Sequence, residues 1–434
     1  MRYFLPFLII CLFTTGTSGQ DMLRLDDAIA IGLTNNHRIV IARNNAEIAQ
    51  NNTTRGNAVF LPSLDASGSL SLAQSEQETN SPFSFGNSDT RGASAQLALN
   101  WTVFDGFQMF AERNRYNELA RLGEAQARNT VEQTVVSIVA GYMDVVQQTR
   151  LLDALRRVME ISRSRFEKES VRRELGGSAT DYLNARIAYN TDSASVLRQK
   201  LQLLIARQEL NISLGREPSV RFDVENAITL PDDPGSYTTL LEMAQSRNAD
   251  LTVLRQNLRV TEALLSTSRS TFYPRVNLFA NYGYSDRLTG TSDERFSDDI
   301  STQSTDAAIG LSFTFNLFNG FRNATDIQNA ALNRRSAATA IDEAEIRLAA
   351  LLREQMRTLE IRLQAVAIEE SSLDAARRNL DLQVERFQTG TVTSLEFRDA
   401  QLQFVRAETA YIVARFQAHI ADLELRRLTG DLRV

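Results

Sequence analysis

Trp101-Thr102-Val103-Phe104-Asp105-Gly106-Phe107 and Phe315-Asn316-Leu317-Phe318-Asn319-Gly320-Phe321 are two copies of one pattern, an apolar strand end running into Asp/Asn-Gly-Phe. The copying extends outward from both. Leu61-Pro62 corresponds to Tyr273-Pro274, Asp181 and Ala185 to Glu396 and Ala400, and Leu214-Gly215 to Thr429-Gly430. The offset drifts by only about three residues, and the unit is far longer than the roughly 20–50 residues of a solenoid repeat. One long half-structure is therefore used twice, as suits a ring of pseudo-equivalent staves. The first copy takes in residues 20–217, the second 237–430, and residues 218–236 link them.

Proline placement sets where helices can run. Apart from Pro6, the chain has Pro62, Pro82, Pro218, Pro231, Pro234 and Pro274, leaving 83–217 and everything after 274 free of it. Proline costs about 3 kcal/mol inside a helix, so these tracts permit long ones. Val131, Val135, Ile138, Tyr142, Val145, Thr149 and Leu152 step by fours and threes, as do Leu348, Leu352, Met356, Leu359, Leu363 and Val366. That is coiled-coil spacing. Helices are predicted over residues 26–60, 106–174, 178–214, 238–271, 320–388 and 393–428.

Between the first two helices of each half the period falls to two. Leu64, Ala66, Gly68, Leu70 and Leu72 alternate with Asp65, Ser67, Ser69 and Ser71, and the return strand alternates Ala95, Leu97, Leu99, Trp101 and Val103 with polar neighbours. In the second half Val276, Leu278, Ala280, Tyr282 and Tyr284 share a face, and the return strand carries Ile309, Leu311, Phe313, Phe315 and Leu317. Phe279 breaks the alternation. Such strands suit a sheet with one apolar and one polar face. The stretches 73–92 and 285–305, rich in Ser, Thr, Asp, Asn and Gly, read as long loops. Gly106 and Gly320 can take the positive φ needed where strand turns into helix, and Asp105 or Asn319 can cap the helix that follows.

Arg2, the apolar run Tyr3–Phe13 and the small residues to Gly19 form a secretory signal, with cleavage expected after Gly19. Cys11, the only cysteine, lies inside it, so the exported chain would carry no disulfide or acyl anchor. A net charge of −6 offers no basic patch for nucleic acid. Nothing in the chain marks an enzyme, a cofactor or a metal site. His37 and His419 are the only histidines, and there is no phosphate-binding loop, nucleophile elbow or paired-His helix.

Four strands cannot close a membrane barrel, for which about eight is the minimum. An open edge in hydrocarbon costs several kcal/mol per unpaired backbone group. Two copies would give a barrel filled by its own side chains, and three would give twelve strands and a water-filled bore. Trp101, Tyr282 and Tyr284 would then serve as membrane-interface aromatics. A secreted or periplasmic helical scaffold that binds partners without conducting would also explain the alternation, though less well the helices of about 70 residues.

The Leu61-Pro62-Ser63-Leu64 segment, the two strand-to-helix patterns and Leu214-Gly215-Arg216, in this order and duplicated, resemble the TolC family of outer-membrane channel proteins across residues 21–430. The resemblance implies a mainly α fold with β. Its form is a homotrimer with a twelve-stranded β-barrel in outer-membrane lipid, continued into the periplasm of a Gram-negative bacterium by an α-barrel. It implies a passive exit duct for tripartite efflux or type I secretion. The partners would be a periplasmic adaptor protein and an inner-membrane transporter, either a proton-driven pump or an ABC exporter. Glu396 and Asp399, three apart and so on one helical face, match positions where acidic residues ring the family's periplasmic gate, and Asp181 matches Glu396. Phe387 falls where the family has an aromatic that helps hold the gate, here without a hydroxyl. The tips Gly176-Gly177-Ser178 and Thr389-Gly390-Thr391 would dock the adaptor.

Overall fold

The computed structural model describes residues 22–76, 88–225, 230–231, 234–291, 299–389 and 391–432; the expected signal sequence and Gly390 lie outside them. In chain order the elements are β1 (Met22–Leu23), α1 (Leu25–Asn35), α2 (His37–Asn51), β2 (Ser63–Ser75), β3 (Ser88–Phe104), α3 (Gln108–Glu174) and α4 (Ala179–Ser213). There follow β4 (Asp223–Val224), α5 (Tyr237–Arg247), α6 (Ala249–Ser270), β5 (Arg275–Thr291), β6 (Ile300–Thr314), α7 (Arg322–Gln388) and α8 (Ser394–Thr429). The chain forms two compact units. One comprises Met1–Ile41, Thr130–Asn248 and Arg347–Val434, and the other Ala42–Asn129 and Ala249–Ile346.

Helices α3 and α7 run 67 residues each without a break, on the order of 100 Å of helix. The apolar stripes that predicted them are their buried faces: Val135, Ile138, Tyr142, Val145 and Leu152 on α3, and Leu348, Leu352, Leu359 and Val366 on α7. The helices expected over 26–60 and 238–271 are each broken in two instead, at Asn36 and Asn248. The Asn36 amide donates to the Ser213 carbonyl at 2.7 Å, while its Oδ1 accepts from the N–H groups of Arg38 and Ile39 at 2.8 and 3.3 Å, capping α2. The Asn248 amide donates to the Leu428 carbonyl at 3.1 Å. Gly215 and Gly430, at φ 68° and 67°, make the close approach possible. A Cβ on Gly215 would lie 2.3 Å from the Asn35 carbonyl oxygen, and one on Gly430 2.8 Å from that of Arg247. The break and the Leu-Gly/Thr-Gly pair are thus one repeated device. The first copy's helix also stops at Asn51, short of residue 60.

The two-residue strands β1 and β4 pair in parallel, an element too short to show as periodicity. The buried Tyr142 hydroxyl donates to the Leu23 carbonyl at 3.0 Å and accepts from the Glu225 N–H at 3.2 Å, tying both strands to α3. Tyr142→Phe is expected to cost about 1–3 kcal/mol, because it strands a buried acceptor. An unchanged thermal midpoint would argue that the hydroxyl carries no such load.

The other sheet is antiparallel, in the order β2-β3-β5-β6. Its register places Leu64, Leu99, Ala280 and Ile309 in one cross-strand row and Ala66, Leu97, Tyr282 and Ala307 in another, all on one face. The opposite face carries Ser69, Ser94, Ser285 and Ser304 in a row, with Ser69–Ser94 and Ser285–Ser304 hydroxyls at 2.8 Å. Phe279, the break in the alternation, sits on this polar face opposite Gly310; a Cβ there would come 2.6 Å from its ring. The ring thus covers a gap that glycine leaves. The strands run further than expected: β2 reaches Ser75, β3 begins at Ser88, β5 reaches Thr291 and β6 begins at Ile300. Residues assigned to loops at 73–92 and 285–305 therefore partly belong to the sheet, since backbone pairing continues where the apolar alternation lapses. At its other end β6 stops at Thr314, leaving Phe315 and Leu317 beyond it.

Gly106 and Gly320 take positive φ, and so do Phe107 and Phe321 after them. The rings of Phe107 and Phe321 stand edge-on to Phe104 and Phe318, at 5.4 and 5.5 Å. Asp105 does not cap α3 as expected: it is buried, and its Oδ1 has no hydrogen-bond partner.

Candidate functional site

The α3–α4 and α7–α8 turns are built alike. After α3, Gly176 takes φ 92° and the Gly177 N–H donates to the Arg172 carbonyl at 2.8 Å. Ser178 then caps α4, its Oγ accepting from the Asp181 N–H at 3.3 Å. After α7, the Thr389 hydroxyl and the Thr391 N–H both donate to the Arg386 carbonyl at 3.0 Å. Thr393 caps α8 in a full capping box. Its hydroxyl accepts from the Glu396 N–H at 3.2 Å, and its own N–H donates to Glu396 Oε2 at 2.8 Å. Asp181 and Glu396 thus hold the same capping position in the two halves. The Thr393-x-x-Glu396 spacing carried this signal in the sequence.

The backbone N–H of Thr393, and after it the Thr393 hydroxyl, holds the exposed Glu396 carboxyl below the usual carboxylate range. A depressed value places the cap's stabilising effect above the ordinary carboxylate pKa and removes it as pH falls through the lowered one. At neutral pH Glu396 is ionised. Asp399 is also exposed, and its Oδ2 accepts from Gln403 at 2.6 Å. Phe387 stacks on the buried Phe397, with centroids 4.8 Å apart, in a cluster with Leu380, Ala400 and Ile161.

Between these turns and the apolar core lies a polar layer that the sequence reading missed. Past Val158 the buried face of α3 changes to Ser162, Arg165 and Glu169, and Asp192 interrupts the buried face of α4 between Ala188 and Val196. Arg398 of α8 grips Asp192 with two parallel bonds, Nη1 to Oδ2 at 2.6 Å and Nη2 to Oδ1 at 2.8 Å, and Ser162 donates to the same carboxylate. The side chains of Arg398 and Asp192 are only 16% and 11% exposed. One ion pair thereby joins α3, α4 and α8. A charged residue on an apolar stripe was the available signal, because such groups are buried only when paired.

On the sheet, Trp101 Nε1 donates to the Phe60 carbonyl at 3.1 Å. Tyr282 and Tyr284 lie on the apolar face, in the rows of Leu97 and Ala95. The next row brings Asp286 and Gln303 together. Among the described residues no group of acidic, histidine and cysteine side chains could hold a metal ion, and no helix is long and apolar enough to cross a membrane.

Known proteins share this architecture. The chain is 22% identical over 430 residues to the outer membrane efflux protein BepC of Brucella suis, covering 98% of this chain and 89% of that one. It is 21% identical over 353 residues to the outer membrane protein TolC of Escherichia coli, covering 79% and 70%. The fold matches the CmeC outer membrane channel of Campylobacter jejuni with a TM-score of 0.77 at 16% identity, over 94% of this chain and 85% of that one. It matches the open-state MtrE outer membrane channel of Neisseria gonorrhoeae with a TM-score of 0.69 at 18% identity, over 94% and 89%. The profile of one family, described as outer membrane efflux protein, matches twice, over residues 29–216 and again over 240–431. With both halves of its duplicated architecture accounted for, the chain is an outer-membrane protein and belongs to the outer membrane efflux protein family.

Proposed function

We propose that three copies of this chain close a single barrel and act as a passive export duct, fed through a periplasmic adaptor by an inner-membrane transporter in tripartite efflux or type I secretion. The observation that carries this reading is a four-stranded amphipathic sheet whose outer strands, β2 and β6, have unpaired edges. Hydrocarbon does not tolerate such edges. Pairing β6 of one copy with β2 of the next would satisfy both and, in a trimer, complete twelve strands. The apolar face would meet lipid and the serine row would line the bore. The apolar rows from Val276 to Tyr284 run nine residues along β5 before the row of Asp286 and Gln303, within the roughly 9–11 residues that a tilted strand needs to cross a bilayer core. Trp101, Tyr282 and Tyr284 would sit among the lipid-facing rows.

In this reading Glu396, Asp399 and Asp181 supply a ring of carboxylates at the periplasmic entrance, backed by Phe387. The tips Gly176-Gly177-Ser178 and Thr389-Gly390-Thr391 receive the adaptor, and the exposed Leu175 beside the first tip offers it an apolar contact. A focused negative field favours cations. The purified protein should partition with outer membranes and conduct ions in planar bilayers; a soluble, non-conducting product would overturn the reading. Glu396→Ala with Asp399→Ala should fold, yet lose cation selectivity and sensitivity to divalent-cation block. Because the Glu396 carboxyl is held low, the wild-type preference should persist at pH 5. Unchanged selectivity in the double variant would remove these two residues from the entrance.

A further inference from the structure

Arg165, in the polar layer, makes no ion pair among the described residues. The residue is 4% exposed, and its Nε is buried without a hydrogen-bond partner. Of the carboxylates that act on it, Glu169 accepts from Arg172 at 3.1 Å and Asp181 stands in the first turn of α4, and neither pairs with it directly. Burial pushes the Arg165 guanidinium down from its usual range, but arginine keeps its charge in proteins. A buried, unpaired cation is costly enough that a counter-charge is normally found beside it.

Arg165 lines a cavity of about 540 Å³ between α3 and the α7–α8 pair. That volume lies within the range of small-molecule sites. One wall is apolar, made by Val384 and the stacked Phe387 and Phe397, with the Arg165 guanidinium 5.9 Å from the Phe387 ring centroid. The other wall is the face of α3 that presents Arg157, Arg165 and Lys168, against a single acid, Glu160. Arg157 already pairs with Glu408. Lys168 is exposed and makes no ion pair among the described residues. Two uncommitted cations, one buried and one at the rim, therefore stand over an aromatic floor.

We propose that this cavity binds an amphiphilic organic anion, a small molecule whose carboxylate, sulfonate or sulfate pairs with Arg165 and Lys168 while its apolar body lies on Phe387 and Phe397. A neutral amphiphile would leave Arg165 unpaired, and a bare inorganic anion would leave the aromatic floor uncovered. An occupied cavity would bridge α3 to α7 and α8.

The test is calorimetric titration of the full protein, in a neutral maltoside detergent, with 4-bromobenzenesulfonate and with uncharged 4-bromobenzenesulfonamide. The anion should bind at least about tenfold more tightly than the amide, as one charge-assisted contact requires, and Arg165→Gln should remove that preference. Bromine anomalous scattering should place the anion beside Arg165. Where Arg165→Gln fails to assemble, Lys168→Glu at the exposed rim decides: it should weaken the anion by a similar factor. No binding to the wild type, equal binding of anion and amide, or undiminished binding by Lys168→Glu would each overturn the proposal. The readout does not involve conduction, so its failure and that of the export-duct reading are distinguishable.

Discussion

Asp192→Ala is expected to destabilise the helix-turn end of the chain by about 3–5 kcal/mol, because it leaves the Arg398 guanidinium buried without its carboxylate. Two parallel bonds and the Ser162 hydroxyl would be lost together. Arg398→Met should cost a similar amount for the reverse reason, an orphaned carboxylate. The double variant Asp192→Leu/Arg398→Met should recover most of the loss, since apolar groups of similar volume can replace a buried pair at little cost. Hydrogen exchange in the first turns of α8, together with the thermal midpoint, reads this directly. Single variants as protected as the wild type would mean that the pair does not hold α8 to α3 and α4. Glu396 and Asp399 stand on the same part of α8 as Arg398. Under the export-duct reading, the single variants should therefore also raise resting conductance.

Gly215→Val is the second large effect, expected at about 3 kcal/mol or more. The substitution forces a β-branched residue into a left-handed backbone and drives its Cβ into the Asn35 carbonyl, which lies 2.3 Å from that position. The obstacle is backbone at the α1–α2 break, so no side-chain rotation relieves it. Gly430→Val should behave alike against Arg247. Gly176→Val provides the contrast: its φ is also left-handed, but a Cβ there meets nothing within 4 Å. Its cost should stay near the backbone term alone, about 1–2 kcal/mol. Comparable midpoints for Gly215→Val and Gly176→Val would show that the helix break does not depend on close approach.

The long helices and the amphipathic strands were legible because their periods persist over many residues, as in the Val135–Leu152 stripe and the Leu64–Leu72 alternation. The helix breaks were not. Asn36 and Asn248 look like ordinary polar residues until the chain ends of α4 and α8 arrive beside them, and that proximity is long-range. The strand extensions past Leu72 and Tyr284 were hidden for another reason, since backbone pairing leaves little trace where the apolar alternation lapses. At the turns, the family resemblance singles out Glu396 as an acid, and the Thr393-x-x-Glu396 spacing that forms the capping box is legible beside it. Arg165, Asp192 and Arg398 are a different case, because helical periodicity shows which residues share a face without showing which face is covered.

The central claim is that one chain has too few strands to seal a lipid-facing cylinder and must be completed by identical chains. Native mass spectrometry of the detergent-solubilised protein, on the fraction that conducts in planar bilayers, tests it most directly. The expected particle has the mass of three chains. A conducting particle with the mass of a single chain would contradict the account.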